Sequence, residues 1–463
     1  PRFGAMASGP MEPPQSGAFR YYFPDAPAFP QSDTMVAALD QLGTSMFDPA
    51  IPSPDVDLPP ILTYFGQLID HDITANTDRR VPDVSEIDVD PLSPTARDTT
   101  IDKLDNLRDG SLGLDSLYGD SVGQDQFSEK LSQLMRHPAH TDKMRLGLPL
   151  TTGDDPIRPP ADDATDLLRL GFLLDTGAVA EAELQAQKGD IRKALIDPDG
   201  QPIRQRAIIG DFRNDENLLV GQLLVAFLRL HNNLVDAVGS FDEARRLTRY
   251  HYQWLVANEY LPSLCDRSVV DELIATESPL YRDFFDAHEP AMAPKMPMPL
   301  EFSVAAFRFG HTMIRGGYDH NHVFGQPVDG LTNRQPFASL NQLFLFTGDG
   351  RMSFVPEPTP ENPDPDPVSV SDRQLPDNWV IDWSRFVNAE TPVRSAKGID
   401  TRLDPPLDVM INQEDPGRPQ PLNELFQHLA RRNLRRGYRL NLPSAQDTIA
   451  GINATGHFRP IQT

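Results

Sequence analysis

Residues 216–238 read ENLLVGQLLVAFLRLHNNLVDAV, and their periodicity decides the fold class. Leu219, Leu223, Phe227, Leu230 and Leu234 recur at three- and four-residue spacing, which places them on one stripe of a helix. Gly239 follows, the residue type best suited to a left-handed helix end. A second helix is predicted over roughly 241–260. Upstream, Asp57 is a good N-cap, Pro59 and Pro60 suit a first turn, and LTYFGQLIDHDI carries that helix to about Ile73. Downstream, LEFSVAAFRFGHTMI predicts a helix over 299–314 that stops at Gly316-Gly317. A last helix is predicted over 421–436, closed by Gly437. Residues 126–137 and 180–195 read as short helices.

The remaining chain is punctuated by proline, 45 residues in all, gathered between the apolar stretches. Residues 1–56 read as an extended arm with turns. Residues 76–110 are a polar, acidic loop, and 356–376 a Pro- and Asp-rich one. Alternating strand patterns are few and no internal repeat is visible. The expected fold is mainly α: one large helical domain over 57–463, with long loops and little β.

Composition narrows the function. A net charge of −25 argues against nucleic acid and anionic membrane surfaces, both of which select clustered Lys and Arg. The single cysteine, Cys265, excludes an intramolecular disulfide and any thiolate metal cluster. It leaves the compartment open: bacterial cytoplasm, or secretion without disulfides. No apolar run of about 18 residues reads as a membrane span. The N-terminal PRFGAMASGPMEPP lacks a signal-peptide pattern.

Four segments set polar residues into apolar helices. In GQLIDHD (66–72), Gln67 and His71 share a helical face with Asp70 close by. A satisfied core histidine explains this segment equally well. In GDFRNDEN (210–217), the acids suit a helix start, and Arg213 with Glu216 can be a surface pair. In FRFGHT (307–312), Gly310 lets something bulky approach the backbone beside His311. His311 with His320 and His322 is an alternative three-histidine metal set, against which Gly316-Gly317 breaks the helical register. RNLRRGY (432–438) alone is a basic helix terminus.

Together and in this order, GQLIDHD, GDFRNDE with LRLHN, FRFGHT and NLRRGYRLNLPS resemble the animal haem peroxidases, the peroxidase–cyclooxygenase group. LDSLYG (114–119) and GIDTRLDPPL (398–407) resemble further family segments, so the likeness spans about 58–446. The low cysteine count points to a bacterial branch.

The resemblance implies a b-type haem and reduction of hydrogen peroxide at the expense of a halide or a small organic donor. It implies His311 as the proximal iron ligand, donating its other ring nitrogen to Asn433, and Arg308 as partner of a haem propionate. It implies His71 as the distal acid–base, Arg213 as the distal cation and Gln67 as the residue holding water or peroxide. Asp70 and Glu216 match the carboxylates that form ester links to haem. Asn217 stands where a further link would need methionine. Asp72, with Asp109, Ser111 and Asp115, matches calcium ligands, although Gly113 replaces the usual central carboxylate. Tyr438-Arg439-Leu440-Asn441 departs from the family's last motif. A fatty-acid oxygenase working through a tyrosyl radical is the alternative activity, with Tyr318 a candidate tyrosine.

Overall fold

Proline decides where the helix carrying GQLIDHD begins. In the computed structural model it runs from Ile61 to Ile73, not from Asp57, and Pro60 occupies the cap position without a side-chain bond. A residue preceding proline is disfavoured in helical conformation, so Leu58 and Pro59 stay outside. The structure describes residues 17–48, 50–75, 84, 86–119, 126–150, 164–288, 296–326, 335–348, 353–354, 368–369, 374–387, 394–410, 413 and 417–462. Most of the predicted loop at 356–376, and residues 76–83 and 85 of the loop at 76–110, lie outside these.

The architecture is one mainly helical domain with little sheet. A short strand β1 (Gly17–Arg20) pairs with Asp105–Asn106 and Met298–Pro299. Helix α1 (Asp33–Ser45) follows, capped by Ser32, so residues 33–45 are not the extended chain expected of this stretch. Helix α2 is Ile61–Ile73. Helix α3 (Leu218–Val238) matches its prediction closely, with Asn217 Oδ1 accepting from Val220 N and Gly239 left-handed at φ 72°. Helix α4 (Phe241–Leu255) passes into a π turn at Val256–Tyr260. Helix α5 (Leu429–Arg439) is separated from Gln420–Gln427 by an extended His428, whose Nδ1 accepts from Arg431 N. The predicted single helix over 421–436 is therefore two, and the second continues through Gly437.

The segment carrying His311 also departs from expectation. It is a π turn, Glu301–Ala305, followed by a 3₁₀ helix, Ala306–Met313. Apolar spacing tolerates either winding, and packing chooses between them. Glu301 is buried and accepts from the backbone nitrogens of Tyr22 (2.9 Å) and Phe23 (3.1 Å), which ties the N-terminal strand region to this turn. Such wide turns recur where function requires a side chain to be re-aimed.

Helices α2 and α3 lie at the centre. Phe65, Leu68 and Ile69 of α2 pack with Val220, Leu223, Leu224 and Phe227 of α3 in one cluster. Tyr64, Leu218 and Leu219 join a second cluster with Tyr318, Trp379, Phe386, Leu429 and Ala430. By length and composition α3 could cross a membrane, but 67% of its apolar window is buried within the protein. The His311 segment packs on α2, and α5 packs on both α1 and the π turn at 301–305. Close approach is enforced at Gly66, where a Cβ would lie 2.4 Å from the Tyr260 hydroxyl oxygen.

Candidate active site

The distal residues come from the last turns of α2 and from the 3₁₀ turn Phe212–Asp215 that leads into α3. His71 is buried, and its Nδ1 lies 2.8 Å from Asn214 Oδ1. An amide oxygen only accepts, so the ring carries its proton on Nδ1 and turns Nε2 to other work. That Nε2 lies 3.7 Å from Glu216 Oε1. Gln67 Nε2 donates to the same Glu216 oxygen, and Gln67 Oε1 accepts from Asn217 Nδ2 at 2.9 Å. Asn217 thus caps α3 with its oxygen and orients Gln67 with its nitrogen.

Arg213 is fastened beside this cluster. Its Nη2 donates to the carbonyls of His71 (3.0 Å) and Thr74 (2.7 Å), the carbonyl end of α2, where a cation is favoured. Its Nε and Nη2 also bond Asp211, which in turn holds Arg108. Burial alone would raise the Asp211 carboxyl, but Arg213 and Arg108 outweigh it and hold the group well below the usual carboxylate range. Asp70 and Glu216 add their fields to that of Asp211 in stabilising the charged form of Arg213. Asp70 Oδ1 accepts from Thr74 Oγ1 at 3.1 Å. Arg169 fixes the turn from behind, donating to both Asp215 oxygens at 2.8–2.9 Å.

The proximal residues come from the 3₁₀ helix and from α5. Asn433 Nδ2 lies 3.2 Å from His311 Nδ1, and Asn433 Oδ1 accepts from Arg308 Nη1 at 3.4 Å. The pairing expected between His311 and Asn433 is present, but the amide presents its nitrogen to the ring because its oxygen faces Arg308. Burial, reinforced by Arg308 and Arg432, lowers His311 to about 3, so the imidazole is neutral, the form that ligates metals. A Cβ built on Gly310 would meet no described atom within 4 Å, so the backbone beside His311 is open to a close-lying ligand.

The two sides are electrically joined. Arg432 feels both Arg308 on the His311 side and Glu216 on the His71 side. The positive charge that His311 feels from Arg308 and Arg432 suits a neutral metal ligand set at the edge of a group bearing carboxylates. These residues therefore fit a haem with its two propionates. Two cavities, of about 330 Å³ beside Leu146, Leu168 and Phe172 and about 450 Å³ beside Tyr22 and Gly451, are lined by none of these residues.

The alternative three-histidine set does not converge. His320 Nε2 meets the Trp379 carbonyl at 2.8 Å, and His322 pairs with Arg385 and Asp382, so no three-histidine site forms with His311. The residues expected to bind calcium lie near one another: a Cβ on Gly113 would stand 3.2 Å from Ser111 Oγ and 3.3 Å from Asp115 Oδ1. Asp72 is buried and accepts from the backbone nitrogens of Leu114 (3.0 Å) and Ser116 (3.5 Å), Asp109 accepts from Ser111 N and Oγ, and Asp115 faces Arg249. Among the described residues no three His, Cys, Asp or Glu side chains form a metal-binding group. Burial raises Asp72 to about 6, more than its amide donors and Arg108 lower it. Tyr318 is buried edge-on to Tyr64, with its hydroxyl accepting from Arg315 N. Elsewhere the motifs do meet: His231 of LRLHN bonds the Tyr118 hydroxyl of LDSLYG at 3.0 Å.

Sequence reasoning missed Asn214, Asp211 and Arg432. Asn214 and Asp211 sit inside a motif that reads as a helix start, and nothing local signals that they serve side chains far away in the chain.

Residues 180–330 match the family model described as animal haem peroxidase, a span that includes Arg213, Glu216, Arg308 and His311. The chain is 25% identical over 309 residues to a peroxidase-like protein of Margaritifera margaritifera, covering 64% of this chain and 37% of that protein. It is 30% identical over 119 residues to a chorion peroxidase of Aedes aegypti, covering 23% of this chain and 14% of the other. The chain thus spans little more than a third of the first relative. Among solved structures it is similar to peroxidase A from Dictyostelium discoideum, with a TM-score of 0.49 at 14% identity, covering 97% of this chain and 76% of that one. It is also similar to the fatty acid α-dioxygenase of Oryza sativa, with a TM-score of 0.40 at 12% identity, covering 94% and 64%.

Proposed function

We propose that this chain is a haem peroxidase of the animal type, holding a b-type haem between α2 and the His311 segment and reducing hydrogen peroxide. One observation carries the reading. Two imidazoles from segments that pack together, His71 buried and His311 half-buried, each have Nδ1 beside an asparagine amide; Asn214 Oδ1 holds the proton of His71 on Nδ1 and leaves its Nε2 for chemistry, and a half-turn of the Asn433 amide does the same for His311. His311 would ligate the iron, and Arg308 would hold a propionate.

Bound there, haem supplies the redox couple that takes oxidising power from peroxide and passes it to a halide or a small organic donor. The chain's own residues manage protons and charge. Nε2 of His71 would take a proton from one peroxide oxygen and return it to the other. The guanidinium of Arg213, fixed by Asp211 and the end of α2, stabilises negative charge as it develops. Gln67, oriented by Asn217, holds water or peroxide beside His71. If a carboxylate replaced Asn433 as the partner of Arg308, Asn433 Oδ1 would be freed, and after a half-turn of the amide it would accept the Nδ1 proton of His311. Asp70 and Glu216, both only partly buried and both beside Arg213, are the carboxylates for covalent attachment.

The test is spectroscopic. The purified, haem-loaded protein is expected to show a Soret band that His311→Ala removes or shifts through loss of the axial ligand. His71→Ala is expected to keep the band while slowing reaction with peroxide by about a hundredfold or more in stopped flow. Protein that takes up no haem, or a His71→Ala rate equal to wild type, sinks the assignment.

A further inference from the structure

Arg432 stands one residue before Asn433 on α5, and its neighbours set it apart from the other arginines of that helix. Arg431 and Arg435 share the Asp40 carboxylate, at 3.3 Å and 2.6 Å. Arg432 instead donates through Nη1 to Gln413 Oε1 at 2.9 Å and through Nη2 to Met410 Sδ at 3.5 Å. Both partners are neutral, and among the described residues no carboxylate reaches its guanidinium within ion-pair distance. The cations that act on it, Arg436, Arg308 and Arg418, outnumber the one offsetting acid, Glu216. Burial and these cations lower Arg432 to about 10, a direction that marks an uncompensated charge. A partly buried guanidinium held by neutral groups and flanked by like charge is costly without an anion.

We propose that Arg432 is a second anchor for the anionic edge of the porphyrin, binding one propionate while Arg308 binds the other. This rests on the haem reading above. Asn433, whose amide bonds both His311 and Arg308, is the next residue to Arg432 on α5, and the charges of both arginines are felt at the His311 imidazole. Arg308 stands three residues before His311 on one element, and Arg432 adjoins Asn433 on another, so two carboxylates can be met from two directions. Gln413 and Met410 brace the guanidinium without neutralising it, which keeps its charge for an incoming carboxylate.

The experiment titrates purified protein, free of haem, with haemin and with haemin dimethyl ester, whose propionates are masked. Binding is followed by the Soret band, and folding of each variant by circular dichroism. Arg432→Met is expected to weaken haemin binding by about tenfold or more and leave the dimethyl ester unchanged. Arg432→Lys, which keeps the charge but loses the fork, is expected to recover part of that affinity. Protoporphyrin IX without iron, followed by its fluorescence, should repeat the pattern, because the contact is to the propionates and not the metal. An Arg432→Met protein that binds haemin as wild type does, or that loses both porphyrins equally, overturns the inference and leaves the haem reading standing. Wild-type protein that binds neither porphyrin removes the haem reading, and this anchor with it.

Discussion

The side-chain oxygen of Asn214 lies 2.8 Å from Nδ1 of His71, and both residues are buried, across 143 positions of sequence. The consequence is a fixed tautomer. Asn214→Leu removes the only acceptor assigned to that nitrogen while roughly preserving volume. The reaction of the haem-loaded protein with peroxide is expected to slow by about ten- to a hundredfold, with haem content unchanged. Nitrogen-15 NMR of the imidazole should lose its single Nδ1–H signature. An unaltered rate together with an unaltered tautomer would rule out positioning by Asn214.

Asp211 joins Arg108 to Arg213, so its removal leaves a buried cation, Arg108, beside the 34%-exposed Arg213 without their shared anion. Asp211→Asn is expected to cost about 3–5 kcal/mol of stability, measured by urea unfolding. The sign with pH follows from its depressed pKa. The contribution is present above the ordinary carboxylate range and is lost only as pH falls well below it. The wild type should therefore lose more stability than the variant in strongly acidic solution.

His231 and His320 are fully buried and are lowered to about 4, chiefly by desolvation. Both are neutral in the folded protein at pH 5, whereas the unfolded chain binds a proton at each. Stability should thus be independent of these groups above about pH 6.5 and fall with acidification toward pH 4. Near pH 5 the pair contributes an uptake of about two protons on unfolding. His320→Gln should reduce that slope by about one proton, read from urea midpoints between pH 7 and 5.

Glu216 is 41% exposed at its side chain and accepts from Gln67, while Asp70 is held by Thr74. If both carboxylates attach haem, peroxide treatment of the loaded wild type should make it resistant to extraction by acidified butanone. Glu216→Gln and Asp70→Asn should each lower the number of links by one, seen as a changed haem–peptide mass. Complete extraction from treated wild type would remove both residues from this role.

Much of the fold could be read from apolar spacing alone. The stripe on α3 and the apolar ring of α2 are long enough that no alternative period fits them. The winding of Glu301–Met313 could not be read, because its apolar spacing suits several helical pitches and Glu301's bonds to distant backbone help select among them. Gly437 reads as a helix stop, yet the helix runs through it, since Leu440 and Leu442 find core positions beyond. Of the site, His71, Arg213, Gln67, Glu216, Arg308, His311 and Asn433 come from recognisable motifs. Asn214 and Arg432 lie in the same motifs, but their roles are not legible, because what each one serves is set by three-dimensional packing. Asp72 is legible by residue type, whereas its contact with the backbone nitrogens of Leu114 and Ser116, on the loop that carries Asp115, is set by packing.

Helix α1 lies against α5 through Asp40, and Tyr21 donates to the Leu440 carbonyl, so residues near position 40 close on residues near 435. A ribosome emits the first of these long before the second. The wall that carries Asn433 is then among the last parts to be assembled, and pairing over so great a contour length is slow. Uptake of a large flat prosthetic group by a nascent chain would find the His71 side ready first, and the His311 side completed only after synthesis has passed α5.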